Sequence, residues 1–191
     1  MRELPAVAAF RHVDTREGFE VLFLQEDAAG YRFDGHSTGL LDGGAWAIRY
    51  SILVDEAWTT RSAHVVGRSS RGEQAVQLEA DGAGGWRVDG APAPELAGCP
   101  DVDLEASAFT NALPVNRLRL AVGERADAPA ALVRALDLGV ERLEQAYARV
   151  EDGAAGPQYD YEAPDLAFDA RLVYDRFGLV LDYPGIAVRV A

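Results

Sequence analysis

Ala45-Trp46-Ala47-Ile48-Arg49-Tyr50-Ser51-Ile52-Leu53-Val54-Asp55 puts Trp46, Ile48, Tyr50, Ile52 and Val54 in one phase of a period-two pattern. Ala47, Arg49, Ser51 and Leu53 occupy the other phase. Successive side chains of a strand point to opposite faces, so the stretch predicts a strand with one buried face. Residues 74–80 repeat the pattern with Val76 and Leu78 against Gln77 and Glu79, and Gly82, Gly84 and Gly85 turn the chain into Trp86-Arg87-Val88. That pair reads as a hairpin. Residues 117–122 alternate as well, with Leu118, Leu120 and Val122 opposite Arg117 and Arg119, and predict another strand. Near the C-terminus Leu166, Phe168, Ala170, Leu172 and Tyr174 share a face. Asp175-Arg176-Phe177-Gly178 then turns the chain into residues 179–183, and Pro184-Gly185 into residues 186–190. Short strands separated by Gly- and Asp-rich turns predict a mainly β, antiparallel architecture with few helices: a barrel, a half-barrel or a sandwich.

Residues 130–150 disagree with the rest. Leu132, Leu136, Val140, Leu143, Tyr147 and Val150 recur at helical spacing after Pro129. Gly139 in the middle of that stretch weakens a helix by about 1 kcal/mol relative to alanine.

Composition narrows the function classes. The 191 residues include 49% hydrophobic and 26% charged residues, which are globular values, so one core and a single domain over 1–191 are expected. No apolar run approaches the span of a bilayer. Met1-Arg2-Glu3-Leu4-Pro5 has no basic region followed by a long apolar stretch, so no export signal is read and a cytoplasmic location is expected. A net charge of −13 argues against nucleic acid, whose phosphates are bound through Lys and Arg. All 18 basic residues are arginines, which excludes a Schiff-base or lysine-base mechanism. Cys99 is the only cysteine and the three histidines are scattered, so neither a disulfide, a zinc site nor another cofactor is expected.

Gly98-Cys99-Pro100-Asp101-Val102-Asp103-Leu104 and Ala108-Phe109-Thr110-Asn111-Ala112-Leu113-Pro114-Val115-Asn116-Arg117-Leu118 place polar groups and turn formers between apolar anchors. With Phe10-Arg11-His12, Gly18-Phe19-Glu20, Trp58-Thr59-Thr60-Arg61, Gly85-Trp86-Arg87-Val88-Asp89-Gly90, Gln145-Ala146-Tyr147, Tyr159-Asp160-Tyr161-Glu162 and residues 178–185, the chain resembles the glycolipid-binding family of bacterial proteins, formerly a domain of unknown function. Ala112 and Asn116 depart from a threonine and an arginine of the family block. The resemblance implies an open β-barrel or half-barrel, like lipoprotein carriers, with an apolar concavity that holds a lipid or glycolipid. It also implies that residues 130–150 form two strands joined at a turn.

Several residues are candidates for the headgroup end of such a ligand. Arg61 shares strand parity with Ala63 and Val65; if that face is interior, its guanidinium would meet a phosphate or carboxylate, and if not, it forms a surface ion pair. Asp103 and Arg117 either contact the headgroup or hold the fold together, Asp103 by binding backbone amides or Arg117. Asn111 offers both a donor and an acceptor to a sugar hydroxyl, or else orders a turn. Gln145 and Tyr147 would line the cavity, and Trp58, Trp86 and Tyr183 would stack on sugar rings or fill the core. The leading expectation is lipid or glycolipid binding without catalysis. Two rivals stand beside it: an enzyme using Asp101 or Asp103 with an arginine, and a homodimeric interaction module.

Overall fold

The computed structural model describes residues 4–41 and 43–191; residues 1–3 of the N-terminal stretch read above lie outside the described residues. A first meander runs through β1 (Val7–His12), β2 (Glu17–Asp27), β3 (Gly30–Leu41), β4 (Gly44–Asp55), β5 (Thr60–Ser69), β6 (Gly72–Ala80), β7 (Trp86–Val88) and β8 (Ala91–Pro92). A crossing segment follows, with β9 (Asp101–Leu104), helix α1 (Ala112–Leu118), β10 (Arg125–Asp127), β11 (Ala130–Val133) and β12 (Val140–Leu143). A second meander comprises β13 (Ala146–Gly153), β14 (Gly156–Ala163), β15 (Phe168–Tyr174), β16 (Val180–Tyr183) and β17 (Ala187–Arg189). Among the described residues the two meanders, together with β10 of the crossing segment, form one 14-stranded sheet in the order β10-β13-β14-β15-β16-β17-β1-β2-β3-β4-β5-β6-β7-β8. All its pairings are antiparallel, and β17 joins β1 with Phe10 opposite Arg189. Its terminal strands, β10 and β8, do not pair, so the barrel is open.

β4 shows the alternation on which the fold reading rests: Trp46, Ile48, Tyr50, Ile52 and Val54 are buried, and the residues between them are not. Two of these rings have glycine opposite them, Gly35 facing Tyr50 and Gly39 facing Trp46 across β3 and β4. A Cβ at either glycine would overlap the aromatic ring. The ring therefore covers the bare backbone of its neighbour, and overpacking there is costly. Gly35→Val is expected to lower stability by about 2 kcal/mol. Chemical denaturation measures this, and an unchanged midpoint would show that the Tyr50 ring can move aside freely.

The concave side is largely filled by the chain itself. Residues 100–116 lie against inward-facing groups of both meanders: Phe109 packs on Phe33 with ring centroids 4.7 Å apart, the Val102 amide donates to Thr60 Oγ1 at 3.0 Å, and the Ser37 hydroxyl donates to the Ala106 carbonyl at 2.5 Å. A small second sheet in the order β12-β11-β9 belongs to the same plug, with β9 and β11 parallel.

Residues 130–150 form strands, as the resemblance implied, with Val133 paired to Val140 across the turn before Gly139. Residues 117–122 correct the expectation of a strand. Arg117 and Leu118 close α1, and Arg119 leaves it in the left-handed region at φ 49°. Alternation in this stretch is a coincidence of sequence, since the Asn116 side chain bonds the Ala112 and Gly178 carbonyls and keeps the turn helical. Outside, Phe19, Val21 and Phe23 of β2 are exposed on the convex face.

Candidate functional site

Where β9 and the loop after it meet the ends of β14, β15 and β16, a cavity of ≈ 270 Å³ remains. Its polar lining includes Arg16, Asp103, Glu105, Ser107 and Asn111, and its aromatic lining is Tyr161, Phe168 and Tyr183. The three rings form one cluster, with centroids 6.1 Å apart for Tyr161 and Phe168, 6.0 Å for Tyr161 and Tyr183, and 5.9 Å for Phe168 and Tyr183. Leu104, Leu132, Leu143 and Ile186 complete the walls, and the exposed Leu166 stands at the edge.

Arg16 enters from the turn between β1 and β2. It is 7% exposed, its Nη1 donates to the Glu105 carbonyl, and its Nε has no partner. Burial lowers its pKa, and the charges of Glu20, Tyr183, Glu105 and Asp103 act against that shift. An arginine keeps its proton even so, which places a fixed positive charge at the cavity wall.

Asp103 follows the parity of β9, which points it at the cavity together with Glu105. Thr110 donates its hydroxyl to Asp103 Oδ1 at 2.5 Å. Burial pushes the Asp103 carboxyl above its ordinary value, and the Thr110 hydroxyl, the Leu104 amide and the Arg16 charge pull it back only in part. Glu105 takes Arg134 at 3.1 Å and the Ala135 amide at 2.7 Å.

Behind Arg16 lies Glu20, fully buried. It accepts from Tyr50 Oη at 2.5 Å, from the Ser107 hydroxyl, and from the Ala108 amide at 2.8 Å. Tyr147 donates to Asn111 Oδ1 at 2.7 Å, and Tyr174 donates to the Asn111 carbonyl at 3.3 Å, so Asn111 is held by two tyrosines while facing the cavity.

The structure thus brings Asp103 and Asn111 to the cavity, with Tyr147 directly behind Asn111. The other candidates lie elsewhere. Arg117 is spent on Asp101, through Nε to Oδ1 at 3.0 Å and Nη2 to Oδ2 at 2.6 Å, so Asp101 rather than Asp103 holds it. Gln145 is buried with Oε1 unpartnered and does not line the cavity. Trp58 is buried against Tyr31 and Phe33, with centroids 5.1 and 5.4 Å away.

The premise that Arg61 faces inward is corrected. Pairing shifts between Leu53 opposite Ser62 and Val54 opposite Thr60, which leaves Arg61 as the extra residue of a bulge. Its parity with Ala63 is broken, and it points outward to Asp55 at 2.7 Å. Cys99 is buried and its thiol is pushed up to about 11, chiefly by burial, so it is a poor nucleophile. Arg16, Glu105, Ser107, Tyr161 and Phe168 were not singled out as ligand contacts by sequence reasoning.

An open antiparallel sheet that wraps its own crossing segment, with one polar and aromatic pocket left at the seam, defines a β-barrel-like protein. The chain belongs to the family described as putative glycolipid-binding, which matches residues 8–189. It is similar to the crystal structure of a DUF1089 family protein from Pseudomonas aeruginosa, with a TM-score of 0.72 and 31% identity over 100% of this chain and 95% of that one. It shares its fold with a β-barrel-like protein of the domain of unknown function DUF1849 from Brucella abortus, with a TM-score of 0.52 and 8% identity over 96% and 92% of the two chains. Among curated proteins no match is found. No helix among the described residues is long and apolar enough to cross a membrane.

Proposed function

We propose that the protein binds a glycolipid without transforming it, with the sugar in the ≈ 270 Å³ cavity and the lipid leaving over Leu166 and Phe168. The observation that carries this reading is the lining itself: Arg16, Asp103 and Asn111 on one side and the Tyr161, Phe168 and Tyr183 rings on the other. Sugar hydroxyls pair with carboxylate, amide and guanidinium groups, and the apolar face of a sugar ring packs on aromatic rings. At about 30 Å³ per water the cavity holds the equivalent of roughly nine waters, enough for one sugar ring but too little for a long acyl chain. The family match supports the ligand class. The acidic balance of the chain, −13, supports a reading without nucleic acid.

Calorimetry with n-octyl glucoside below its micellar concentration, with n-octanol as the control, tests the reading. Octyl glucoside is expected to bind more tightly than octanol. Asp103→Ala is expected to weaken it about tenfold, the scale of one charged hydrogen bond, and Phe168→Ala several-fold. Equal affinity for octanol, or two variants that bind like the parent, would sink it.

One observation favours a second reading. Asp103 carries a carboxyl raised by burial inside a pocket that also holds Arg16, an arrangement suited to acid or base catalysis on a sugar or lipid-like substrate. Turnover of nitrophenyl glycosides that is lost in Asp103→Asn would favour it over binding alone.

A further inference from the structure

We propose that the convex face of β1–β4 docks on the surface of an anionic lipid bilayer, with Phe19, Val21 and Phe23 entering the interface and Arg11 and Arg49 meeting lipid phosphates. Phe19 is 55% exposed and Phe23 50%, and Val21 between them is exposed as well. Alternate residues of one strand share a face, so the three side chains form a stripe about 14 Å long. On β1, Ala9 stands opposite Val21 and the exposed Val7 opposite Phe23, which widens the stripe into a patch. The core does not need these side chains, because Glu20, Leu22 and Leu24 fill the inward phase of the same strand. A contiguous exposed apolar patch rimmed by polar groups marks an interaction surface.

Charge decides what covers it. The strand registers place Arg11 opposite Phe19, and His36 and then Arg49 in line with Val21. Three rows of outward residues cross β1 to β5 through Phe19, Val21 and Phe23. They hold Arg11, Arg49, Arg68, His36 and His64 against a single acid, Asp34. Arg68 stands at the border, where it faces Glu73 of β6. Arg11 and Arg49 are exposed and make no ion pair or side-chain hydrogen bond among the described residues. The chain as a whole carries −13, so this face has the opposite sign to the rest of the molecule.

That combination is complementary to lipid phosphates lying above acyl chains. Apolar side chains enter the boundary between headgroups and chains, and long basic side chains around them stay at the phosphate level. Each basic residue near an anionic membrane surface strengthens binding about fivefold. At physiological salt charges are screened over about 8 Å, so the acidic groups elsewhere on the molecule do not cancel this local attraction. A second copy fits the face less well, because a two-fold pairing would press two basic faces together. None of the residues of the patch lines the sugar pocket, so the proposal stands or falls independently of glycolipid binding.

The test is co-sedimentation with vesicles of phosphatidylcholine and phosphatidylglycerol in equal parts, with pure phosphatidylcholine vesicles as a separate arm. The mixed vesicles are expected to take up the protein about tenfold better or more. Phe19→Ser with Phe23→Ser should lower that uptake about tenfold, and Arg11→Gln with Arg49→Gln should remove most of the preference for mixed vesicles. All four positions are exposed, so the fold is kept, and the melting temperature and unchanged octyl glucoside binding check that. Equal uptake by both vesicles would overturn the anionic surface, and an unaffected phenylalanine variant would overturn the face. Asp103→Ala should bind vesicles like the parent; if it loses them, the lipid enters the sugar pocket and the docking face is overturned. Sedimentation velocity without lipid should show a monomer. A dimer that the phenylalanine variant breaks would assign the face to a second copy instead.

Discussion

Arg117→Ala is expected to destabilise the protein by about 3–5 kcal/mol, the cost of leaving one partner of a buried ion pair alone. Asp101 is fully buried, and both its oxygens are held by the Arg117 fork. The pair also ties α1 to β9, the strand that carries Asp103 into the cavity. Burial pushes the Asp101 carboxyl above its ordinary value, and Arg117 pulls it back by hydrogen bonds and charge. Without Arg117 the carboxyl rises further, so the loss is largest at neutral and alkaline pH and shrinks in acid, where Asp101 takes up a proton. Arg117→Lys keeps the charge but not the fork, and should fall between the parent and the alanine variant. Urea unfolding at two pH values measures all three. A loss below about 1 kcal/mol for Arg117→Ala would show that water reaches Asp101 and the pair contributes little.

Glu20→Ala is expected to cost about 3 kcal/mol in acid, where the carboxyl keeps its proton, and less as pH rises. It strands the Ala108 amide and the hydroxyls of Tyr50 and Ser107, and buried unpaired groups cost about 1–3 kcal/mol each before any reorientation. Glu20→Gln keeps a polar partner near these groups and so isolates the effect of the titration. Burial raises the Glu20 pKa above its ordinary value despite hydrogen bonds from Ser107, Tyr50 and Ala108 and the charge of Arg16. The folded state thus holds this proton more tightly than the unfolded chain does. Its contribution is fully present below the unfolded pKa and is lost as pH rises through the folded one. Glutamine cannot ionise, so it imitates the protonated form and removes that slope. The difference in unfolding free energy between parent and Glu20→Gln, followed from acid to alkaline pH, should therefore move in favour of the variant. A difference that does not change with pH would refute the assignment of a raised pKa to Glu20.

How far the sequence could be read depended on whether local pattern or distant contact decides a residue's role. β4 was plain because its inward phase is almost wholly aromatic and β-branched and its outward phase is not. The hairpins at Gly82–Gly85 and at Pro184-Gly185 were equally local. β2 hid its parity: Phe19, Val21 and Phe23 look like the core phase, yet they are exposed, while Glu20, Leu22 and Leu24 face inward. Nothing in the local pattern therefore marked Glu20 as a fully buried carboxylate. Arg61 misled for a related reason, since one bulged residue reverses the phase of everything before it and leaves no trace in spacing. Asp103 and Asn111 could be named because they stand in a dense polar block between apolar anchors. Arg16 could not, because its role comes from the turn that drops it beside a strand far away in the chain.

Phe10 and Arg189 face each other across the seam of β1 and β17, although nearly the whole chain separates them. Every other neighbouring pair within the two meanders closes a hairpin or a short loop. Closure entropy rises only slowly with loop length, about 0.6 kcal/mol per doubling, so the seam costs little at equilibrium. Timing is another matter, because distant pairings form late. Refolding should end with two half-sheets zipping together, and until then β1 and β17 are bare edges able to pair with another chain. The vulnerable moment in the life of this protein is an unzipped seam rather than an exposed core.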